Sequence, residues 1–152
     1  MLKKNKIFLV SLLIGCLFLF AGCSKDRYAY LILPSGKEIK VKVAVSREEF
    51  SRGLSGIKKI DGDDGLFFIK EKPSQSIFWM AGMKFPLDII YLDKDLVVVD
   101  IFLDKQPCIR ESCELLYSKF SNVQYILEIP TGLANQYQLE FNKKIKITKN
   151  NL

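Results

Sequence analysis

A short apolar run that ends just before Cys23 limits how much of this chain can form a folded domain. Three lysines lie among the first six residues, residues 7–20 are apolar, and two small residues precede the cysteine. This is the pattern of a signal peptide, and an apolar run of 14 residues is too short for a spanning helix, which needs roughly 20. We therefore predict a lipoprotein signal peptide at residues 1–22, lipidation of Cys23 and a short tether at residues 23–27.

Removal of this signal peptide changes the size and charge of the protein. Cleavage of 22 residues from the 152 would leave 130, one domain of ordinary size. Three of the 23 basic residues lie in the signal, so 20 remain beside 17 acidic residues, a net charge of about +3. The charges are mixed along the chain, and we expect no nucleic-acid partner. We expect attachment to the membrane through the lipid, on the extracytoplasmic side of the cell envelope. Phe20 departs from the signal pattern, because an aliphatic residue is usual three positions before the cysteine.

The cysteines also become simple to interpret once the signal peptide is removed. Of the four, Cys16 leaves with the signal and Cys23 takes the lipid, so Cys108 and Cys113 remain as a pair. An oxidising envelope favours a disulfide between them, and their spacing permits disulfide geometry. The alternatives are two free thiols or half of a metal site.

Local patterns predict short strands joined by turns. Residues 38–45 alternate, with Val45 among the apolar positions, as in a half-buried strand. Ser46 and Glu49 fit a capping box for a short helix, and Gly53 suits the end of that helix. Asp93-Lys94-Asp95 joins two apolar runs, at residues 87–92 and 96–103, as a hairpin. Further strands are predicted at residues 28–33, 66–69, 77–80, 124–129 and 144–148, and helical turns at residues 114–120 and 131–137.

These segments predict one domain at residues 28–152. The sequence lacks the alternation of strands and helices that is typical of a doubly wound sheet. It also has no glycine-rich phosphate loop. We predict an α+β, mostly β fold with two short helices. The strands would form either a compact antiparallel sheet or a small barrel.

Several catalytic and metal-binding classes are excluded by composition. The chain has no histidine, which removes Ser-His-Asp and Cys-His catalysis and histidine metal sites. The acidic turn at residues 61–65 fails as a calcium loop, because Leu66 and Lys72 stand where a glycine and a glutamate are needed. Met80 and Met83 offer too few thioethers for a copper site. We predict no metal and no cofactor, and we assign no catalytic residue.

The densest group of candidate ligand-binding residues is Phe78-Trp79-Met80 with Phe85-Pro86-Leu87-Asp88. The aromatic rings would form a stacking floor for a sugar ring or another small molecule, with Asp88 accepting hydrogen bonds. The alternative is a packed corner of the core, in which Asp88 caps backbone amides or pairs with Arg52 or Arg47. The candidate ligand-binding residues are Arg52, Phe78, Trp79 and Asp88.

Four segments occur in a distinctive order. They are Ser46-Arg47-Glu48-Glu49-Phe50-Ser51-Arg52-Gly53-Leu54, Asp64-Gly65-Leu66-Phe67-Phe68, Phe78-Trp79-Met80 with Pro86-Leu87-Asp88-Ile89, and Leu127-Glu128-Ile129-Pro130-Thr131-Gly132. In order and spacing they resemble the DUF192 (UPF0127) family, over about residues 38–148. Ser55 stands where the family usually has methionine, and Ile57 where arginine is common. The resemblance implies a small, mostly β domain that is often exported, and it implies no biochemical activity.

We therefore expect a lipid-anchored envelope protein that binds a small molecule or glycan or acts as an accessory module, and that is not an enzyme. A second hypothesis is a carboxylate enzyme that acts on envelope glycans, with Asp88 and Glu128 as acid and base. A third is a purely structural protein that packs against another envelope component. A pocket at Trp79 and Asp88 would favour the first hypothesis, and a flat apolar patch would favour the third.

Overall fold

The computed structural model of the protein describes residues 27–60, 65–109 and 112–151. The predicted signal peptide, Cys23 and most of the acidic turn lie outside the described residues. Within the described ranges, no helix is long and apolar enough to cross a membrane.

The described part of the chain forms an α+β, mostly β fold, as predicted. Its strands and helices are β1 (Tyr28–Ile32), β2 (Glu38–Ala44), α1 (Arg47–Arg52), β3 (Gly65–Ile69), β4 (Ile77–Phe78), β5 (Leu87–Leu92), β6 (Val98–Lys105), β7 (Leu116–Tyr117), β8 (Tyr125–Pro130), α2 (Leu133–Gln136) and β9 (Lys146–Asn150). Seven strands form one sheet in the order β6-β5-β8-β3-β2-β1-β9, and β4 pairs with β7 in a separate small sheet.

The large sheet is mixed, whereas the sequence predicts an antiparallel sheet or a barrel. Strands β2 and β3 run parallel, because the chain between them makes a crossover that includes α1. The sheet does not close into a barrel, and β6 and β9 are its outer strands. Backbone hydrogen bonds nevertheless link the two ends of the sheet, from Val98 N to Lys143 O at 2.8 Å and from Ile145 N to Leu96 O at 3.0 Å. The sheet is therefore strongly curled but open.

The first helix follows the local sequence signals. The Ser46 hydroxyl accepts a hydrogen bond from Glu49 N at 3.2 Å, and the Glu49 carboxylate accepts one from Ser46 N at 2.8 Å. This is the predicted capping box. Gly53 ends the helix with a φ of 49°, a conformation that glycine adopts without a steric cost. The predicted hairpin also forms, and the Asp93 carboxylate accepts a hydrogen bond from Val97 N at 3.0 Å.

Three local predictions are wrong. Residues 114–120 contain strand β7 rather than a helical turn, and the strand predicted at residues 77–80 is reduced to β4. Val45 is 42% exposed rather than buried. The pairing of β4 with β7 explains why both segments were predicted wrongly. The two strands lie almost 40 residues apart, so neither segment carries a local sequence pattern that marks the pairing.

Apolar side chains cover both faces of the large sheet. Every residue of β5 is buried. Ile90 and Leu92 belong to the core on one face, with Ala134 of α2. Ile89 and Tyr91 belong to the core on the other face, which α1, β4 and β7 help to cover. Each large apolar side chain contributes roughly 1.5–3 kcal/mol to the stability of the fold when it is fully buried. A polar residue in β5 or β8 gives up this contribution, and we expect one there only where it forms hydrogen bonds or has another role.

Asp88 is the charged residue of β5, and backbone amides satisfy it. Its side chain accepts hydrogen bonds from Asp104 N at 2.9 Å and from Ala134 N at 3.0 Å. The Thr131 hydroxyl lies 3.4 Å from the same carboxylate. Asp88 thus joins the end of β6 to the first turn of α2. This is the structural alternative predicted for Asp88, in its amide-capping form.

We predict that Asp88→Ala lowers the free energy of unfolding by roughly 2–4 kcal/mol, because two backbone N–H groups lose their acceptor. Urea denaturation followed by circular dichroism measures this loss. Asp95→Ala is the control, since Asp95 lies on the exposed hairpin and its ion pair with Lys94 is open to solvent, so its loss should leave the stability close to that of the wild type. Equal losses in the two variants would contradict the capping role.

Candidate functional site

A groove with a volume of about 520 Å³ opens on the face of the sheet that α1 and β4 cover. This is within the usual size range of small-molecule sites. One wall is the end of α1 with the turn that follows it, and the other is β4 with the loop that follows it. The base includes Glu128 of β8. The lining residues are Phe50, Ser51, Arg52, Gly53, Leu54, Ser55, Ile77, Phe78, Trp79, Ala81, Gly82, Met83 and Glu128.

The two walls of the groove contact each other at Gly82. The Gly56 N–H donates a hydrogen bond to Gly82 O at 3.0 Å. Gly82 has a φ of 76°, and a Cβ atom on it would lie 2.3 Å from Ser55 Oγ. Any other residue would therefore strain the backbone and displace the Ser55 hydroxyl. Ser55, which departs from the family pattern, lies at this contact.

The disulfide between Cys108 and Cys113, predicted from the sequence, holds the outer side of the second wall. The two Cα atoms are 5.3 Å apart. The Cys108 N–H donates to Met80 O at 3.3 Å, and Ala81 forms a parallel bridge with Cys108. The disulfide-closed loop therefore supports the backbone that presents Trp79.

Three of the four predicted ligand-binding residues line the groove. Arg52 is exposed at the end of α1 and forms no ion pair with a described residue. The Phe78 ring packs edge-on against Phe68, with ring centroids 5.2 Å apart. Trp79 is 46% exposed, so much of its indole is open to solvent. Asp88 does not line the groove.

Glu128 lies at the base of the groove, where the sequence had not placed a ligand-binding residue. It pairs in register with Leu66 of β3 and with Ile89 of β5, and it is only 5% exposed. Its Oε2 atom is buried and has no hydrogen-bond partner among the described residues. Burial raises the pKa of Glu128 to about 8, so the carboxyl group is mainly protonated at neutral pH.

The register of β5 and β8 separates Glu128 from Asp88. Asp88 pairs with Ile129, whereas Glu128 pairs with Ile89. Residues that pair share a face and adjacent residues point to opposite faces, so the two carboxyl groups lie on opposite sides of the sheet. They cannot face each other across one cleft. The predicted acid–base pair is therefore wrong.

One sequence signal marks Glu128 in retrospect. In the strand Tyr-Ile-Leu-Glu-Ile-Pro, it is the lone charged residue within an apolar run. A strand buried on both faces has no solvent side for a carboxylate, so the residue must be paired or face a cavity. The same argument applies to Asp88, and the sequence does not distinguish the two outcomes.

Comparison with known proteins agrees with this fold. The DUF192 family, described as "Uncharacterized ACR, COG1430", matches residues 31–147. The chain belongs to the DUF192 family. No curated protein matches the sequence.

Two crystal structures resemble this DUF192 protein. One is from Sinorhizobium meliloti 1021 and is provisionally assigned as a transcription regulator. It is 22% identical, with a TM-score of 0.69, and the alignment covers 80% of this chain and 92% of that one. The other is a protein of unknown function from Novosphingobium aromaticivorans DSM 12444. It is 24% identical, with a TM-score of 0.67, and 78% and 83% of the two chains are covered. At these identities the likeness shows the fold alone.

We predict that the free energy of unfolding falls as the pH rises from about 5 to above 8. The pKa of Glu128 is about 8 when folded, against 4.5 for the free group. Between these pH values the folded state keeps a proton that the unfolded state has lost. The free energy of unfolding therefore falls as the pH rises through this range, until the folded state has lost the proton as well. Urea unfolding at pH 5, 6.5 and 8.5 measures the effect, which is several kcal/mol in order of magnitude.

The matched variant for this pH profile is Glu128→Gln, which keeps the shape of the side chain without its titration. Its stability should depend much less on pH over the same range. Glu140→Gln, at an exposed glutamate, should behave as the wild type does. Identical pH profiles for Glu128→Gln and the wild type would show that Glu128 is not a buried, protonated acid.

Proposed function

We propose that this DUF192 protein is a lipid-anchored envelope protein whose domain binds a small molecule in the groove between α1 and the loop after β4. The observation that carries the proposal is Glu128 at the base of that groove, because its Oε2 atom is buried and has no hydrogen-bond partner among the described residues. The exposed indole of Trp79 at the side of the groove offers a flat apolar surface for the body of the ligand.

An unpartnered buried carboxyl group favours a binding role over a purely structural one. Leaving a buried polar group without a hydrogen bond costs roughly 1–3 kcal/mol, whereas an apolar residue at this position would add to the core. A bound ligand that donates a hydrogen bond to Glu128 would remove this cost. The concave groove also differs from the flat apolar patch that a structural envelope protein would present.

The membrane anchor is the second part of the proposal. Cys23 lies four residues before Arg27, a span of at most about 14 Å when fully extended. The Arg27 guanidinium pairs with the Glu49 carboxylate of α1, and a hollow beside the groove is lined by Arg27, Glu49 and Arg52. A lipid on Cys23 would therefore hold the groove close to the extracytoplasmic surface of the membrane.

Ligand binding can be followed directly, because Trp79 is the one tryptophan of the chain. We expect some members of a set of sugars, amino acids and organic acids to change the emission of Trp79 in the full chain, purified in detergent. Ala81→Phe, which fills the groove, should abolish the response, and Val45→Phe, at an exposed site outside the groove, should preserve it. No response from any compound, or a response unaffected by Ala81→Phe, would refute binding in the groove.

Lipidation is tested in cells that express the full chain. We expect incorporation of a clickable fatty-acid probe into the wild type and none into Cys23→Ala, because the thiol of the first mature residue carries the lipid. Cys16→Ala is the matched control and should be labelled normally, since Cys16 would leave with the signal peptide. Persistent labelling of Cys23→Ala would disprove the assignment.

A further inference from the structure

We propose that the groove takes a small zwitterion, whose ammonium group pairs with Glu128 at the base and whose anionic group pairs with Arg52 at the rim. This inference rests on the proposed function and specifies the class of its ligand. Three features of the groove carry it: the surroundings of Glu128, the aromatic walls, and Arg52, which forms no ion pair with a described residue.

The groups around Glu128 leave its carboxyl group available to a ligand. From β3, Leu66 is its neighbour in register, and neither β3 nor the segment from β4 to Met83 contains a titratable side chain. From β5, Tyr91 is the nearby titratable group, and its hydroxyl donates to Leu116 O at 3.4 Å. From α1, Arg52 is the charged residue that lines the groove. None of these groups donates a hydrogen bond to Oε2.

An ammonium group is the donor that such a site favours. Hydrogen bonds between charged partners are roughly twice as strong as those between neutral ones, and the low dielectric of a buried site strengthens them further. The groove is also lined by the rings of Phe50, Phe78 and Trp79. Aromatic faces attract cations, whereas a neutral hydroxyl gains little from them.

Arg52 is the reason to infer a zwitterion rather than a simple amine. Arg52 lines the same groove and forms no ion pair with a described residue. Guanidinium groups bind carboxylates and phosphates through two parallel hydrogen bonds. A ligand with both charges would neutralise Glu128 and Arg52 together, and it would enter a protein of net positive charge without repulsion.

Binding of an ammonium group should release a proton from Glu128. The free carboxyl group is mainly protonated below its pKa of about 8, whereas the ion pair requires the carboxylate. The proton leaves to solvent, so the affinity should rise about tenfold from pH 6 to pH 7 and about fivefold from pH 7 to pH 8. A neutral ligand that accepts the carboxyl proton in a hydrogen bond would show the opposite trend.

The test uses three probes with the same phenyl ring: phenylalanine, phenethylamine and 3-phenylpropionate. They are titrated into the detergent-purified full chain, with Trp79 emission as the signal, at pH 6, 7 and 8. We expect phenylalanine to bind best, phenethylamine about tenfold more weakly and 3-phenylpropionate at least a hundredfold more weakly. Calorimetry in two buffers should detect the release of one proton when phenylalanine binds at pH 7.

Variants assign the two charges of the ligand. Glu128→Gln should weaken phenylalanine binding at least tenfold and remove the pH dependence. Arg52→Gln should make the affinities for phenylalanine and phenethylamine equal. The control is Arg47→Gln, at an exposed arginine of the same helix that does not line the groove. This variant should still bind phenylalanine more tightly than phenethylamine. The pH series on the wild type keeps the test decisive if Glu128→Gln does not fold.

The outcomes separate this inference from the proposed function. If 3-phenylpropionate or neutral N-acetylglucosamine binds at least as tightly as phenylalanine and Ala81→Phe abolishes that binding, the groove binds ligands but the zwitterion assignment is wrong. The assignment also fails if the affinity for phenylalanine is independent of pH. If no probe changes Trp79 emission and the compound set gives no response either, both proposals fail.

Discussion

The burial of β5 and β8 on both faces is the constraint on which the rest of the structure depends. These neighbouring strands lie within the sheet, with an apolar core on each side. Each carries one carboxyl group, and the register places Asp88 and Glu128 on opposite faces. Neither carboxyl group is substantially exposed to solvent, so its surroundings must compensate for the hydration that it loses on burial.

The two carboxyl groups differ in their partners. Asp88 accepts hydrogen bonds from the backbone of Asp104 and Ala134, which ties β6 and α2 to the sheet. Glu128 lines a groove, and its Oε2 atom has no hydrogen-bond donor in the part of the chain that the structure describes. One carboxylate is therefore part of the scaffold, and the other is left for a ligand in our proposal. Two carboxyl groups on neighbouring buried strands therefore have different surroundings.

The groove depends on contacts between distant parts of the chain. Gly82 closes against the turn after α1, and the disulfide-closed loop supports the loop that presents Trp79. The solved relatives share the fold at 22% and 24% identity, which does not transfer a ligand. The proposed chemistry therefore rests on this chain's own Glu128, Arg52 and Trp79.

The sequence by itself determined what depends on neighbours along the chain: the capping box of Ser46 and Glu49, the hairpin at Asp93, the mostly β content and the Cys108–Cys113 pair. It also grouped Arg52, Phe78 and Trp79 with Asp88 as candidate ligand-binding residues, and the first three line one groove. Only the tertiary structure decided that β2 and β3 are parallel, that β4 pairs with β7, and that Glu128 rather than Asp88 lies in the groove. The physical reason is that strand register sets which face a side chain occupies, and register is defined by pairing between distant segments.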